Sequence, residues 1–235
     1  MSKPVVILVG ADKGGVGKTF LSRALLDYLA SHSISARGFD TEGALNRFHT
    51  TNTEVVDLTT AKDQMKVFDA LNSRVVTVID IRAGLLSPTL RVLRDIGFLD
   101  QARQGGVMVL VLHVLGSSIA SLQEIDATSE IVNGLLYFAV KNHVNDSTFF
   151  EWDQKTSEDF FKKIEGAITI PQLNERAVEA IEVAATPFSA FVANKTANGE
   201  GADFSMVLRG YTAFWLKNVY AELDRVKLAD VVRAP

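Results

Sequence analysis

Cysteine is absent from this chain. That excludes disulfides, thiolate metal sites and cysteine-ligated iron–sulfur clusters. Histidine is scarce: His32, His49, His113 and His143 are scattered without ligand spacing, so no zinc site is expected. Charge of one sign is also lacking. Lysine and arginine number 24 against 28 acidic residues, and the net charge of −4 exerts no overall pull toward nucleic acid. Only a local basic patch remains as a route to such a partner. No apolar run is long enough for a bilayer span. The longest, Gly106 to Leu115, is interrupted by His113 and has the character of a strand buried on both faces. The opening Met1-Ser2-Lys3-Pro4 passes straight into an apolar run, without the regions of a secretory signal, so a cytoplasmic protein is expected. Internal repeats, low-complexity tracts and an interdomain linker are missing as well. With 235 residues, 47% of them hydrophobic, the expectation is one domain over 1–235 with a substantial core.

What is present is concentrated between Gly10 and Thr19, Gly-Ala-Asp-Lys-Gly-Gly-Val-Gly-Lys-Thr. The apolar run Val5-Val6-Ile7-Leu8-Val9 precedes it, and a helical pattern of Phe20, Leu21, Ala24, Leu25, Tyr28 and Leu29 follows. Strand, glycine-rich turn and helix form the setting of a phosphate-binding loop. Glycines allow backbone N–H groups to turn inward, and the helix N-terminus adds partial positive charge. Gly14, Gly15, Val16, Gly17, Lys18, Thr19 and Phe20 are the candidate nucleotide-binding stretch. Lys18 is placed to reach phosphates, and the Thr19 hydroxyl to bind Mg²⁺. Strict P-loop spacing requires glycine where this chain has Asp12, and a second lysine, Lys13, stands near the start of the loop.

Farther on, strands and helices alternate, which predicts an α/β fold with a mainly parallel sheet and helices on both faces. A weak strand over Ser35–Phe39 ends at Asp40, and Val55-Val56 suits a short edge strand. Thr59 or Thr60 caps a helix through about Leu71, with Met65, Phe68 and Leu71 on one face. Val75 to Ile79 is a strand ending in Asp80, the form of a carboxylate that holds a Mg²⁺ shell, usually through water. Ser87 as N-cap with Pro88 at the first helical position starts a helix to about Arg103. Further strands are expected at Val107–Val114, at Leu135–Val140 ending in Lys141-Asn142, and at Ala167–Ile170 ending at Pro171. Ser117 or Ser118 opens the helix between the first two of these. Phe149, Phe150, Trp152, Phe160 and Phe161 fall in a polar-aromatic region of short helical pieces. Helices are also expected over Asn174–Ala185 and over Phe204–Val231. The aromatic face of the latter, Tyr211, Phe214 and Trp215, is assigned to the core.

Lys13-Gly14-Gly15-Val16-Gly17-Lys18-Thr19 resembles the deviant Walker A motif of the ParA/MinD family of ATPases. The absence of cysteine separates the chain from iron proteins with a similar loop. That family carries Asp-x-Asp-Pro-Gln-Gly after the P-loop helix. Aligned on Gly43, this chain has Gly38 for the first Asp, Asp40 for the second, and Thr41-Glu42 for Pro-Gln. The family's Asp-x-Pro-x-Gly is matched at Asp80 and Gly84, with Arg82 where proline is usual.

The resemblance implies a P-loop NTPase fold, binding of ATP and Mg²⁺, slow ATP hydrolysis, and an ATP-dependent homodimer in which Lys13 reaches the partner subunit's nucleotide. It implies that Asp40 orients the attacking water, that Asn142 reads the adenine edge, and that the loop at Pro171 packs the base. Such proteins partition or position DNA or large complexes, often with an activating partner protein. Non-specific DNA binding would fall on Arg209, Lys217, Arg225, Lys227 and Arg233, a set interrupted by Glu222, Asp224 and Asp230. A C-terminal membrane helix is not expected, because the last residues carry little bulky apolar surface. A P-loop ligase phosphorylating a small carboxylate and a weakly hydrolysing nucleotide-dependent scaffold are the open alternatives.

Overall fold

Strands buried on both faces need apolar residues in both side-chain registers, and the central strands here supply them. In β1 (Val5–Gly10), Val5, Ile7 and Val9 face one helical layer while Val6 and Leu8 face the other. The computed structural model describes residues 3–11, 13–48, 53–116, 119–143 and 154–233. In these, β1 is followed by α1 (Lys18–Ser31), β2 (Ala36–Asp40), β3 (Thr53–Val55), α2 (Ala61–Phe68), β4 (Val76–Asp80), α3 (Leu86–Asp95) and α4 (Phe98–Arg103). Then come β5 (Met108–Leu115), α5 (Ile119–Ile131), β6 (Leu136–Asn142), α6 (Gln154–Phe161), β7 (Gly166–Ile170), α7 (Glu175–Ala184), α8 (Phe188–Val192), α9 (Met206–Arg225) and α10 (Leu228–Arg233).

The sheet has seven strands in the order β3-β2-β4-β1-β5-β6-β7, and every pairing is parallel. α1 and the C-terminal helices α7 to α10 cover one face. Residues of α2 to α5 cover the other. Parallel strands direct all their carboxyl ends to one edge, where ligands of open α/β sheets bind. Gly10, Asp40, Asp80, Leu115, Asn142 and Ile170 all close strands at that edge.

Several expectations need correction. Ser87 does not cap its helix: Leu85 is the capping residue, and Ser87 and Pro88 lie inside the first turn of α3. That helix stops short of Arg103 because Gly97 takes a left-handed conformation (φ 79°) and starts α4 afresh. Thr60 caps α2 by accepting from the Asp63 N–H, but the buried residue is Val67, and Met65 is exposed. The last helix is also two, with Lys227 in a left-handed conformation between α9 and α10. Trp215 is buried as expected, whereas Tyr211 and Phe214 are 50% and 70% exposed and are not core. The short helix α8 after Thr186-Pro187 had no counterpart in the sequence reading. Asp12, the two serines proposed to open α5, and Phe149, Phe150 and Trp152 lie outside the described residues.

Candidate functional site

The site begins at the N-terminus of α1. Gly17 precedes it at φ 83°, and Gly15 lies at φ 74°, backbone conformations that side chains resist. No side chain caps α1, and its first turn carries no acidic residue. The first-turn N–H groups are thereby left for an anion. Lys18 and Thr19 open this turn, Lys18 buried and Thr19 half-buried.

Asp80 and Asp40 stand side by side, because β4 and β2 pair in a register that sets them level. Asp80 is 3% exposed, and neither of its carboxylate oxygens meets hydrogen-bond geometry with a protein donor. Burial pushes its carboxyl up to about 7, and Asp40 adds to the rise; the Thr19 and Ser22 hydroxyls and the Lys18 ammonium pull the other way. Buried carboxylate oxygens with no donor at hydrogen-bond geometry, beside a threonine hydroxyl, are the donor set a hard dication takes. A cation there would also hold Asp80 ionised. Thr19 and Asp80 therefore suit Mg²⁺.

Asp40 is equally buried but satisfied. Its carboxylate accepts from the N–H groups of Glu42 (2.7 Å) and Leu45, so it caps its own loop. Each oxygen retains a second lone pair for a further donor. The glycine in place of the family's first Asp has a steric cause: a Cβ on Gly38 would lie 2.6 Å from the Thr53 Cγ2 on the neighbouring strand. The loop after β4 is fastened to the P-loop, the Gly84 N–H donating to the Ala11 carbonyl at 3.0 Å. Arg82 is largely exposed, 4.0 Å from Glu42.

Lys13 is half-buried and runs past Gly116, the residue following β5. A Cβ at Gly116 would lie 3.5 Å from Lys13 Cδ and 3.0 Å from Ser121 Oγ. The contact with Lys13 would be an ordinary van der Waals one, and the tight neighbour that favours glycine at 116 is the Ser121 hydroxyl. Sequence reasoning missed Gly116, although a glycine directly after a long central strand was the available signal.

Asn142 ends β6 behind the loop. Its amide donates to the carbonyls of Val16 and Gly17, each at 3.2 Å. Two carbonyl partners fix the amide orientation, so the nitrogen faces the P-loop and Oδ1 is its remaining acceptor. Phe20, Asn142 and Pro171 line one cavity of about 320 Å³, together with Leu173, Glu175, Val178 and Glu179. Its wall is rigid. Trp215 donates its indole N–H to the Pro171 carbonyl at 2.7 Å and packs edge-on to Phe20, centroids 5.0 Å apart. Phe20 also packs edge-on to Phe188 at 4.8 Å. Trp215 is core by its spacing, which does not reveal its hydrogen bond to the Pro171 loop.

Three of the five C-terminal basic residues are hydrogen-bonded within the chain. Arg209 donates to the Val192 carbonyl, Arg225 is paired with Glu222 and donates to the Ala167 carbonyl, and Arg233 donates to the His32 carbonyl. Leu228, Ala229 and Val232 of α10 are buried in the core. Among the described residues, no helix is long and apolar enough to cross a membrane.

No family model and no curated protein sequence matches the chain. Solved structures do. A nucleotide-binding protein from Archaeoglobus fulgidus, solved in complex with ADP, is 17% identical with a TM-score of 0.52, over 77% of this chain and 87% of that one. The MinD cell division protein of Aquifex aeolicus is 12% identical with a TM-score of 0.51, over 91% and 97%. A ParA family ATPase from Chlorobium tepidum is 11% identical with a TM-score of 0.50, over 91% and 99%. At such identities the likeness is one of fold. An all-parallel seven-stranded sheet, its glycine-rich loop after β1 and these neighbours together establish that the chain has the fold of the ParA/MinD P-loop ATPases.

Proposed function

We propose that this protein is a ParA/MinD-type ATPase that binds Mg·ATP, pairs with a second copy of itself in the ATP-bound state, and hydrolyses ATP slowly. The observation that carries the reading is the juxtaposition of Asp40 and Asp80, level on adjacent strands, with an uncapped helix N-terminus bearing Lys18 and Thr19. Phosphoryl transfer asks mainly for positioning and charge neutralisation, and this arrangement supplies both.

In this reading the α1 N–H groups and Lys18 hold the β- and γ-phosphates. Thr19 and Asp80 hold Mg²⁺, which offsets phosphate charge when bound. Asp40, with lone pairs left over from its capping bonds, accepts from the attacking water. Phe20, Pro171 and Asn142 receive the base. The Asn142 Oδ1 accepts from the adenine 6-amino group, whereas the 6-keto group of guanine offers no donor there. Lys13 crosses to the nucleotide of the partner subunit. Hydrolysis then times a binding switch, the γ-phosphate holding the loops after Asp40 and Asp80.

The work of such a switch is partitioning or positioning of DNA or a large complex, helped by an activating partner protein. The test is ATP turnover by the purified protein and by Asp40→Ala. Wild type should release phosphate only with Mg²⁺ present, and the variant should bind ATP without turnover. Unchanged hydrolysis in the variant would sink the assignment of Asp40.

A further inference from the structure

The loops after β2 and β4 are joined by a clasp whose parts the sequence motifs do not account for. The Thr41 N–H donates to the Asp80 carbonyl at 3.0 Å, extending the β2–β4 ladder one residue past Asp40. The Thr41 hydroxyl donates to the same carbonyl at 3.3 Å, and its oxygen accepts from the Arg82 N–H at 2.7 Å. The Glu42 carboxylate lies 4.0 Å from the Arg82 guanidinium and adds long-range attraction between the same loops. The clasp thus ties Asp40 to Asp80 through the residues that directly follow each.

Thr41 and Arg82 are the positions where the family's motifs have proline. Proline carries neither an N–H nor a hydroxyl, so it supplies none of these donors. The chain departs from the pattern twice, and the departures meet each other. A hydroxyl spent on both sides is also directional: it fixes the Asp80 carbonyl and the Arg82 amide relative to the loop that Asp40 caps.

We infer that Thr41 is a positioning residue, which holds the water-orienting Asp40 and the Mg²⁺-holding Asp80 in one register and makes the two loops move as one unit. This rests on the functional reading above. Its consequence is that turnover, more than ATP affinity, depends on the Thr41 hydroxyl. The P-loop and the base cavity contain no part of the clasp, so ground-state binding is left largely intact.

The experiment uses the full-length protein with Thr41→Val, which keeps shape and backbone N–H but removes the hydroxyl, and Thr41→Ser, which keeps the hydroxyl. Steady-state ATP hydrolysis is measured across ATP and Mg²⁺ concentrations, and amide hydrogen exchange is followed at Arg82. For Thr41→Val we expect kcat to fall about tenfold with KM for ATP within about twofold, and the Mg²⁺ concentration for half-maximal rate to rise. The Arg82 amide should exchange faster in Thr41→Val while the amides of β1 and β5 keep their protection. Thr41→Ser should restore both readouts. A residue that merely supports folding would lower protection throughout and leave the Mg²⁺ dependence where it was, and that result overturns the inference. So does a Thr41→Val enzyme with wild-type kcat and wild-type Arg82 exchange. If wild type itself turns over no Mg·ATP, the functional reading fails and the inference falls with it; wild-type turnover with an indifferent Thr41→Val removes the inference alone.

Discussion

Asn142→Ala separates the anchoring role of this residue from simple occupancy of a turn. The side chain is 4% exposed, and its amide is the donor to the Val16 and Gly17 carbonyls. A neutral hydrogen bond of this kind contributes about 0.5–1.5 kcal/mol net, so deleting both costs about 1–3 kcal/mol. Part of that cost falls on folding and part on the loop conformation that binds phosphate. If half reaches binding, ATP affinity drops about twofold to thirteenfold. The acceptor for the adenine amino group disappears as well, so the preference for ATP over GTP should shrink. Asn142→Asp should be worse than alanine, because it turns a carboxylate oxygen toward two carbonyls 3.2 Å away. The assay is fluorescence titration with ATP and GTP, paired with urea unfolding. An Asn142→Ala protein with wild-type affinity for both nucleotides and an unshifted urea midpoint would refute the reasoning.

Gly38→Ala should destabilise the protein by about 1–3 kcal/mol, the usual cost of forcing atoms into a packed contact. Adding Thr53→Ser, which removes the Cγ2 that the new Cβ would strike, should recover most of the loss in urea unfolding. Trp215→Phe deletes the donor to the Pro171 carbonyl and should cost about 1 kcal/mol, read as a lower urea midpoint; if half of that reaches binding, ATP affinity weakens about twofold.

The sequence made most of the sheet legible because parallel strands need unbroken apolar runs, and β1, β5 and β6 have them. Asp80 was legible for the same reason, since it terminates such a run, and Asn142 follows one after a single lysine; Asp40 closes a weak strand and was legible through the motif aligned on Gly43. Other features rest on interactions that spacing does not encode. Tyr211 and Phe214 have the helical period of a core face, yet α9 turns Trp215, Leu216 and Val219 inward instead. The break at Gly97 was available as a glycine, but a helical pattern on both sides masked it. Gly38 looked like a lost carboxylate until Thr53 appeared beside it. Thr41 and Arg82 looked like two unrelated departures, because the contact between them joins residues 41 positions apart.

The central claim is a nucleotide-driven association of two copies, and light scattering on the purified protein tests it most directly. Wild type should be monomeric without nucleotide and should double in mass with a slowly hydrolysed ATP analogue and Mg²⁺. Lys13→Ala should bind the analogue with near-wild-type affinity yet stay monomeric. A Lys13→Ala protein that doubles in mass as readily as wild type would contradict the crossing lysine, and a wild type that stays monomeric with saturating analogue would contradict the account as a whole.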